Sequence, residues 1–211
     1  MLPIILLFFY IEHLLLFWGY SFMWSMNNSK RLLDNKKGII EVAKYSFNIQ
    51  LFLLPLLGYI FYYFYNQLDH THIFAYPNFD FYELKQWVIM FICEDVIFYH
   101  VHRILHHPKL YYLHKLHHTW KHPIPWETLY SSIPENILIN FFPVLTAPLI
   151  VQLNIYYLFV WVAIATLIGV ITHSNYSMPH TIHHTHFTVN YGATRFFDIL
   201  YGTYKAPHSL P

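Results

Sequence analysis

Residues 102–118, HRILHHPKLYYLHKLHH, decide the reading of this chain. His102 and His106 are four apart and so share one face of a helix, and His107 follows directly. His114, His117 and His118 then form an H-x-x-H-H pattern, in which the residues three and four later both lie over the first. The same pattern returns at His180, His183 and His184, after an isolated His173. Histidines scattered at this frequency would give about 0.1 such matches in the whole chain, so two copies are a signal. Thirteen of the 17 histidines fall in two windows, Tyr99 to Pro123 and Thr172 to Phe187. Imidazole suits iron, zinc, copper and nickel, so ligand type alone leaves the metal open. Eight or nine convergent imidazoles exceed what one ion can use, so two metals are implied. Such a centre suits oxidation of a C–H bond through dioxygen.

The rest of the chain supplies a greasy frame for these clusters. Of the 211 residues 56% are hydrophobic, 21% aromatic and only 11% charged, which fits a bilayer better than water. A net charge of +1 and the lack of a basic stripe argue against nucleic-acid binding. With Cys93 as the single cysteine, neither an intramolecular disulfide nor a CxxC zinc site is available.

Hydropathy predicts a first span from Leu2 to Trp24, interrupted by Glu12 and His13 and read as a retained anchor rather than a cleaved leader. A polar loop follows from Asn27 to Lys44, whose Lys30, Arg31, Lys36, Lys37 and Lys44 place it in the cytosol by the positive-inside rule. A second span runs from Tyr45 to Tyr65, and the loop from Asn66 to Asp80 carries no Lys or Arg. A third, more amphipathic helix from Phe81 to Tyr99 returns to the cytosolic side. Ile137 to Val151 and Ile155 to Thr172 read as a helical hairpin, either two spans or re-entrant because its first arm is short. Both histidine windows then share one side. The expected fold is all-α: a multi-span membrane helical bundle with a cytosolic helical cap holding a histidine-ligated di-metal site. Residues 1–80 form an anchor hairpin and residues 81–211 a histidine-box catalytic region, integrated as one domain.

Asp95, Tyr99, His102 and His106 share a helical stripe, which places Asp95 and Tyr99 behind the imidazoles, with Asp95 accepting a second ring N–H. His13, His70, His72 and His208 carry no pattern and are read as interfacial or hydrogen-bonded. His100, His122 and His186 lie near the clusters but off their register. Arg103 and Lys115 are assigned to lipid headgroups or acidic neighbours.

The stretch from Glu94 and Asp95 through Tyr99, His102, Arg103, His106 and His107 to Tyr112, His114, Lys115, His117 and His118 resembles the sterol desaturase and fatty-acid hydroxylase superfamily. Thr172 to Tyr176 is similar to an element of 4-methylsterol oxidases and cholesterol 25-hydroxylases. His180 to Gly192 and Asp198 to Tyr204 look more like sterol C5-desaturases, and the likeness runs from Cys93 to Pro207. The resemblance implies that His102, His106, His114, His117, His118, His173, His180, His183 and His184 hold two iron ions in a non-haem di-iron centre, with His107 a possible replacement for His106. It assigns no catalytic residue beyond the metal centre. It implies an integral membrane enzyme of the endoplasmic reticulum with its site facing the cytosol, fed electrons from NAD(P)H through cytochrome b5 or a similar carrier. The expected reaction is O2-dependent hydroxylation or oxidation of a C–H bond in a sterol or related lipid, with C5 desaturation as the alternative within the family. His100 and the short gap from His173 to His180 depart from the family pattern, so the cover of the cavity is expected to differ. A metal transporter is the reading from another class, but it would place polar ligands along the spans. A bis-histidine haem protein would use two facing histidines rather than nine.

Overall fold

The computed structural model describes residues 2–29, 36–174 and 178–206. Lys30, Arg31, Asn175, Tyr176, Pro207 and His208 lie outside them. The described residues form helices and turns, with no strand. In chain order the helices are α1 (Leu2–Asn27), α2 (Lys36–Asn48), α3 (Leu54–Tyr65), α4 (His70–Ile73), α5 (Phe81–Leu105), α6 (Tyr111–His114), α7 (Ile133–Glu135), α8 (Phe142–Ile150), α9 (Ile155–Thr172), α10 (Pro179–Thr185) and α11 (Phe196–Leu200). Four helical stretches are long and apolar enough to cross a membrane: Ile4–Asn27, Gly38–Tyr65, Ile133–Ile150 and Ile155–Thr172.

Three boundaries differ from the sequence reading, each for a physical reason. Lys36 to Lys44, expected as loop, already belongs to α2, which runs through a π turn (Ile49–Leu53) straight into α3. The first arm of the hairpin starts at Ile133 rather than Ile137, because α7 continues through a second π turn (Asn136–Phe141) into α8; this makes the arm 18 residues long. Both π turns directly precede a proline at the second position of the next helix, Pro55 and Pro143. A proline has no N–H to give the fourth preceding carbonyl, and its ring crowds that carbonyl; widening the turn relieves both effects without ending the helix. Finally, α5 is not among the four apolar stretches, since it carries Glu83, Lys85, Glu94, Asp95 and Arg103. It runs six residues past the expected end at Tyr99, so that His102 lies on the helix and His106 caps it.

The bundle packs α1 against α9 and α5 against α8. Its core joins Phe9, Phe61, Tyr65, Met90, Leu158 and Trp161, while Leu15, Phe22, Phe52, Leu56 and Tyr59 point outward at 56–70% exposure, which suits contact with acyl chains. At the end away from the histidines, polar side chains close the loops. The Tyr65 hydroxyl donates to Leu153 O at 2.7 Å, Gln86 Nε2 to Val151 O at 2.8 Å, and Asn154 Nδ2 to His72 O and Ala75 O at 3.1 and 2.8 Å. Asn154 also caps α9 by accepting from Tyr156 N. Asn154→Ala removes the cap and both loop bonds together, at an expected cost of about 1–3 kcal/mol. Its thermal unfolding midpoint in detergent should fall by several degrees; an unchanged midpoint would refute this role.

Candidate metal centre

All nine histidines singled out in the sequence meet at one end of the bundle. His102 comes from the last turn of α5, His106 from its cap, His114 from α6, and His117 and His118 from the 3-10 turn that follows. His173 caps α9, and His180, His183 and His184 lie on α10. They divide into two groups. His102, His106, His114, His118 and His183 form one, and His117, His173, His180 and His184 the other, with the donor nitrogens of each group all within 4.8 Å of one another. The adjacent residues His117 and His118, and likewise His183 and His184, point into different groups, so each H-x-x-H-H pattern serves both.

The spacings fit two ions. In the five-histidine group the Nε2 atoms of His102 and His114 are 3.1 Å apart, those of His106 and His183 2.9 Å, those of His114 and His118 2.9 Å, and those of His118 and His183 3.1 Å. In the four-histidine group His117 lies 3.3 Å from His180 and 3.4 Å from His173, and His180 lies 3.3 Å from His184. Nitrogen ligands at about 2.1 Å from one ion stand roughly 3.0 Å apart across an octahedral edge and roughly 3.4 Å across a tetrahedral one.

The opposite ring nitrogens explain why the Nε2 atoms are free to bind. Nδ1–H of His102 donates to Tyr191 O, of His173 to Gly169 O, and of His183 to Val189 O, each at 2.7 Å; His184 donates to Trp120 O at 3.0 Å. His114 donates to Glu135 Oε1 at 2.7 Å, both residues being almost fully buried. A proton fixed on Nδ1 leaves the Nε2 lone pair for a metal. Burial, the largest cause, holds His102 and His173 down to about 4 and His106 to about 3, and it lowers His180, His183 and His184 in the same direction. The rings are therefore neutral at pH 7, the form that ligates.

Asp95 does not take the place expected for it. Its carboxylate accepts from the backbone N and the hydroxyl of Thr194, while Tyr99 accepts from Arg103 and meets Thr203 Oγ1. Arg103 lies over the Tyr99 and Tyr201 rings, and no acidic partner for it is found among the described residues. Both Asp95 and Tyr99 act on the 190–204 loop, whose Tyr191 carbonyl receives His102. Asp198 clamps that loop by accepting from Tyr191 N and Gly192 N at 2.8 Å. The chain passes so close there that a Cβ on Gly192 would collide with Thr194 O and approach Asp198 Oδ2 to 3.0 Å. His107 is exposed and its Nδ1 accepts from Lys109 N, away from both groups. His100 and His186 bond locally, to Val96 O and Thr185 Oγ1. Sequence reasoning missed Glu135, whose one signal is the Ser132-x-x-Glu135 start of α7, an ordinary helix cap.

A cavity of about 880 Å³ descends from the histidines between the helices, at the upper end of the range of ligand pockets. Phe9, Phe61, Phe91, Phe141 and Trp161 line it, and His102, His117, His173 and His180 close one end. The cavity admits an elongated apolar molecule with one end against the imidazoles.

Residues 87–203 match the protein family described as fatty acid hydroxylase. The human fatty acid hydroxylase domain-containing protein 2 is 35% identical over 128 residues, which cover 57% of this chain and 38% of that protein. A Delta(7)-sterol 5(6)-desaturase of Gibberella zeae is 28% identical over 206 residues, covering 84% and 61% respectively. A methylsterol monooxygenase of Aspergillus fumigatus is 30% identical over 148 residues, covering 60% and 50%. The chain thus spans well under half the length of the human relative. No solved structure matches it.

Two variants test the centre without any turnover. His106→Ala should lose metal from the five-histidine group while His107→Ala keeps the full stoichiometry, read as metal per chain in purified protein; the reverse order would reassign the ligand. Glu135→Ala should weaken metal binding about 10- to 100-fold, measured by chelator competition, and wild-type affinity would remove Glu135 from the centre.

Proposed function

The chain belongs to the fatty acid hydroxylase family, within the sterol desaturase and fatty-acid hydroxylase superfamily, and we propose that it is a membrane oxidoreductase that uses O2 to hydroxylate or otherwise oxidise a C–H bond of a sterol or related lipid. The observation that carries this reading is the placement of two buried histidine groups at the closed end of a large apolar cavity. His102, His106, His114, His118 and His183 would hold one iron, and His117, His173, His180 and His184 the other. Bound there, iron supplies the electron transfer and dioxygen chemistry that breaking an unactivated C–H bond requires.

The protein contributes position and dryness. The carbonyls of Tyr191, Gly169, Val189 and Trp120, with Glu135, keep the ligand protons on Nδ1, so the rings hold their orientation throughout a cycle. The apolar wall excludes water and presents a lipid carbon rather than a soluble competitor. In hydroxylation one oxygen atom enters the C–H bond and the other leaves as water, with two electrons and two protons drawn from the donor. In desaturation two neighbouring hydrogens leave and, with two further electrons and two protons from the donor side, both oxygen atoms become water. The desaturase outcome is a second reading, favoured by the Gibberella zeae sterol desaturase likeness over 84% of this chain.

NAD(P)H through cytochrome b5 or a similar carrier is the proposed electron source, and the endoplasmic reticulum the proposed membrane. Lys36, Lys37 and Lys44 on α2 support a cytosolic face for the site. Residues 1–80 serve as anchor and residues 81–211 as catalytic region, with Phe9 and Phe17 of the anchor completing the cavity wall. A transporter would distribute ligands along its spans, whereas these nine gather at one end.

Full-length protein reconstituted with ferrous iron, a reductase system and O2 should convert at least one sterol or fatty lipid to an oxygen-dependent product, followed by mass spectrometry. His117→Ala and His183→Ala should each abolish it. No product with any lipid, or full activity in either variant, would overturn the proposal.

A further inference from the structure

Halfway down the cavity the apolar wall is broken by polar side chains that the metal centre does not use. His13 of α1 places Nδ1 2.9 Å from Thr166 Oγ1 on α9, and its Nε2 lies 3.1 Å from Gln50 Nε2 in the π turn between α2 and α3. Gln50 is fully buried, and its Oε1 has no partner among the described residues. His13 and Thr166 both line the cavity. An ionisable or amide side chain deep in a membrane bundle is costly and marks function more often than packing.

Apart from the second polar atom of Gln50, the hydrogen-bond accounting of this triad leaves one capacity unspent, at the cavity wall. With the proton on His13 Nδ1, the Gln50 amide donates to Nε2 and Nδ1–H donates to Thr166, so the Thr166 O–H is free to donate. With the proton on Nε2 and the Gln50 amide turned over, the imidazole accepts from Thr166, whose lone pairs are then free to accept. Among the described residues the Thr166 hydroxyl pairs with His13 and with no backbone carbonyl. A hydroxyl able to act as donor or acceptor, according to the ring tautomer behind it, matches a partner with the same duality, an alcohol.

Position adds a constraint. Thr166 precedes His173 by seven residues of α9, about 10 Å along the helix. We propose that Thr166, backed by His13 and Gln50, anchors the hydroxyl of a lipid alcohol whose reacting carbon lies several bonds away, about 10 Å up the cavity. This rests on the oxidase reading above and narrows it: a hydroxyl seated at Thr166 is too far from the histidines for attack on a neighbouring ring carbon.

Binding, rather than turnover, tests the anchor. The full chain in nanodiscs is titrated with cholesterol and with cholestane, which lacks the hydroxyl, and with 1-hexadecanol and hexadecane, using the fluorescence of Trp161 in the cavity wall. Wild type should hold at least one alcohol about 5-fold tighter than its hydrocarbon. The pair that responds tells a sterol from an acyl alcohol. Thr166→Val should abolish that preference and leave hydrocarbon affinity unchanged, and Thr166→Ser should restore it; a purely structural contact would shift both ligands alike. If Thr166→Val does not fold, judged by lost metal binding, Gln50→Leu carries the same expectation. Equal affinity for alcohol and hydrocarbon in wild type, or a preference that survives these changes, overturns the anchor. A discriminating protein without oxygen-dependent product would keep the anchor and sink the oxidase reading, while an active protein without discrimination would do the reverse.

Discussion

Everything at the functional end depends on hydrogen bonds from ring Nδ1–H groups to fixed acceptors. Five of nine imidazoles are held in this way, by the carbonyls of Tyr191, Gly169, Val189 and Trp120 and by the Glu135 carboxylate. Without them each ring would be free to turn about its side-chain bonds and to change tautomer. With them the Nε2 atoms of these five rings are held facing their groups, whereas Nδ1 of His117 and of His118 is buried without a partner among the described residues. The acceptors come from α7, α9 and the loops after α6 and α10, so the site forms only when the bundle is assembled.

The cost of the arrangement falls on the backbone of the 190–204 loop. Asn190 sits in the left-handed region at φ 55°, where asparagine is better tolerated than most residues, and its side-chain amide ties Pro179 to Lys205. Asp198 and Asp95 then fix the chain on either side of Gly192. The two carboxylates thus act on the metal centre through the loop that presents a carbonyl to His102. The Asn190–Tyr191–Gly192 and Asp198–Thr203 elements that resemble sterol desaturases are, in physical terms, the parts of this clamp.

Much of this was readable in sequence because it rests on short-range periodicity. Spacings of three and four residues brought His114, His117 and His118 to one site, although His114 ends α6 while His117 and His118 lie in the following 3-10 turn and point into different groups. Runs of apolar residues located α1, α3 and α9. The starts of α2 and α7 were not readable: Lys36 to Lys44 is polar and lysine-rich, which pattern alone assigns to a loop, and α7 joins α8 only through a π turn that precedes Pro143. Glu135 looked like a helix cap, and backbone carbonyls have no sequence signature at all. Asp95 was misplaced because helical register shows which face a residue occupies but not that Thr194, 99 positions later, folds back to claim it. The same limit applied to His13, read as a lone hydrogen-bonded histidine, whose partners Gln50 and Thr166 are distant in sequence.

The central claim is that one chain holds two ions in unequal nitrogen-only sites. Mössbauer spectroscopy of the full-length protein loaded anaerobically with ferrous iron, with iron counted per chain, addresses it most directly. The account requires two irons per chain in two distinguishable environments, one with five imidazoles and one with four. Saturation at a single iron per chain, however great the excess offered, would contradict it.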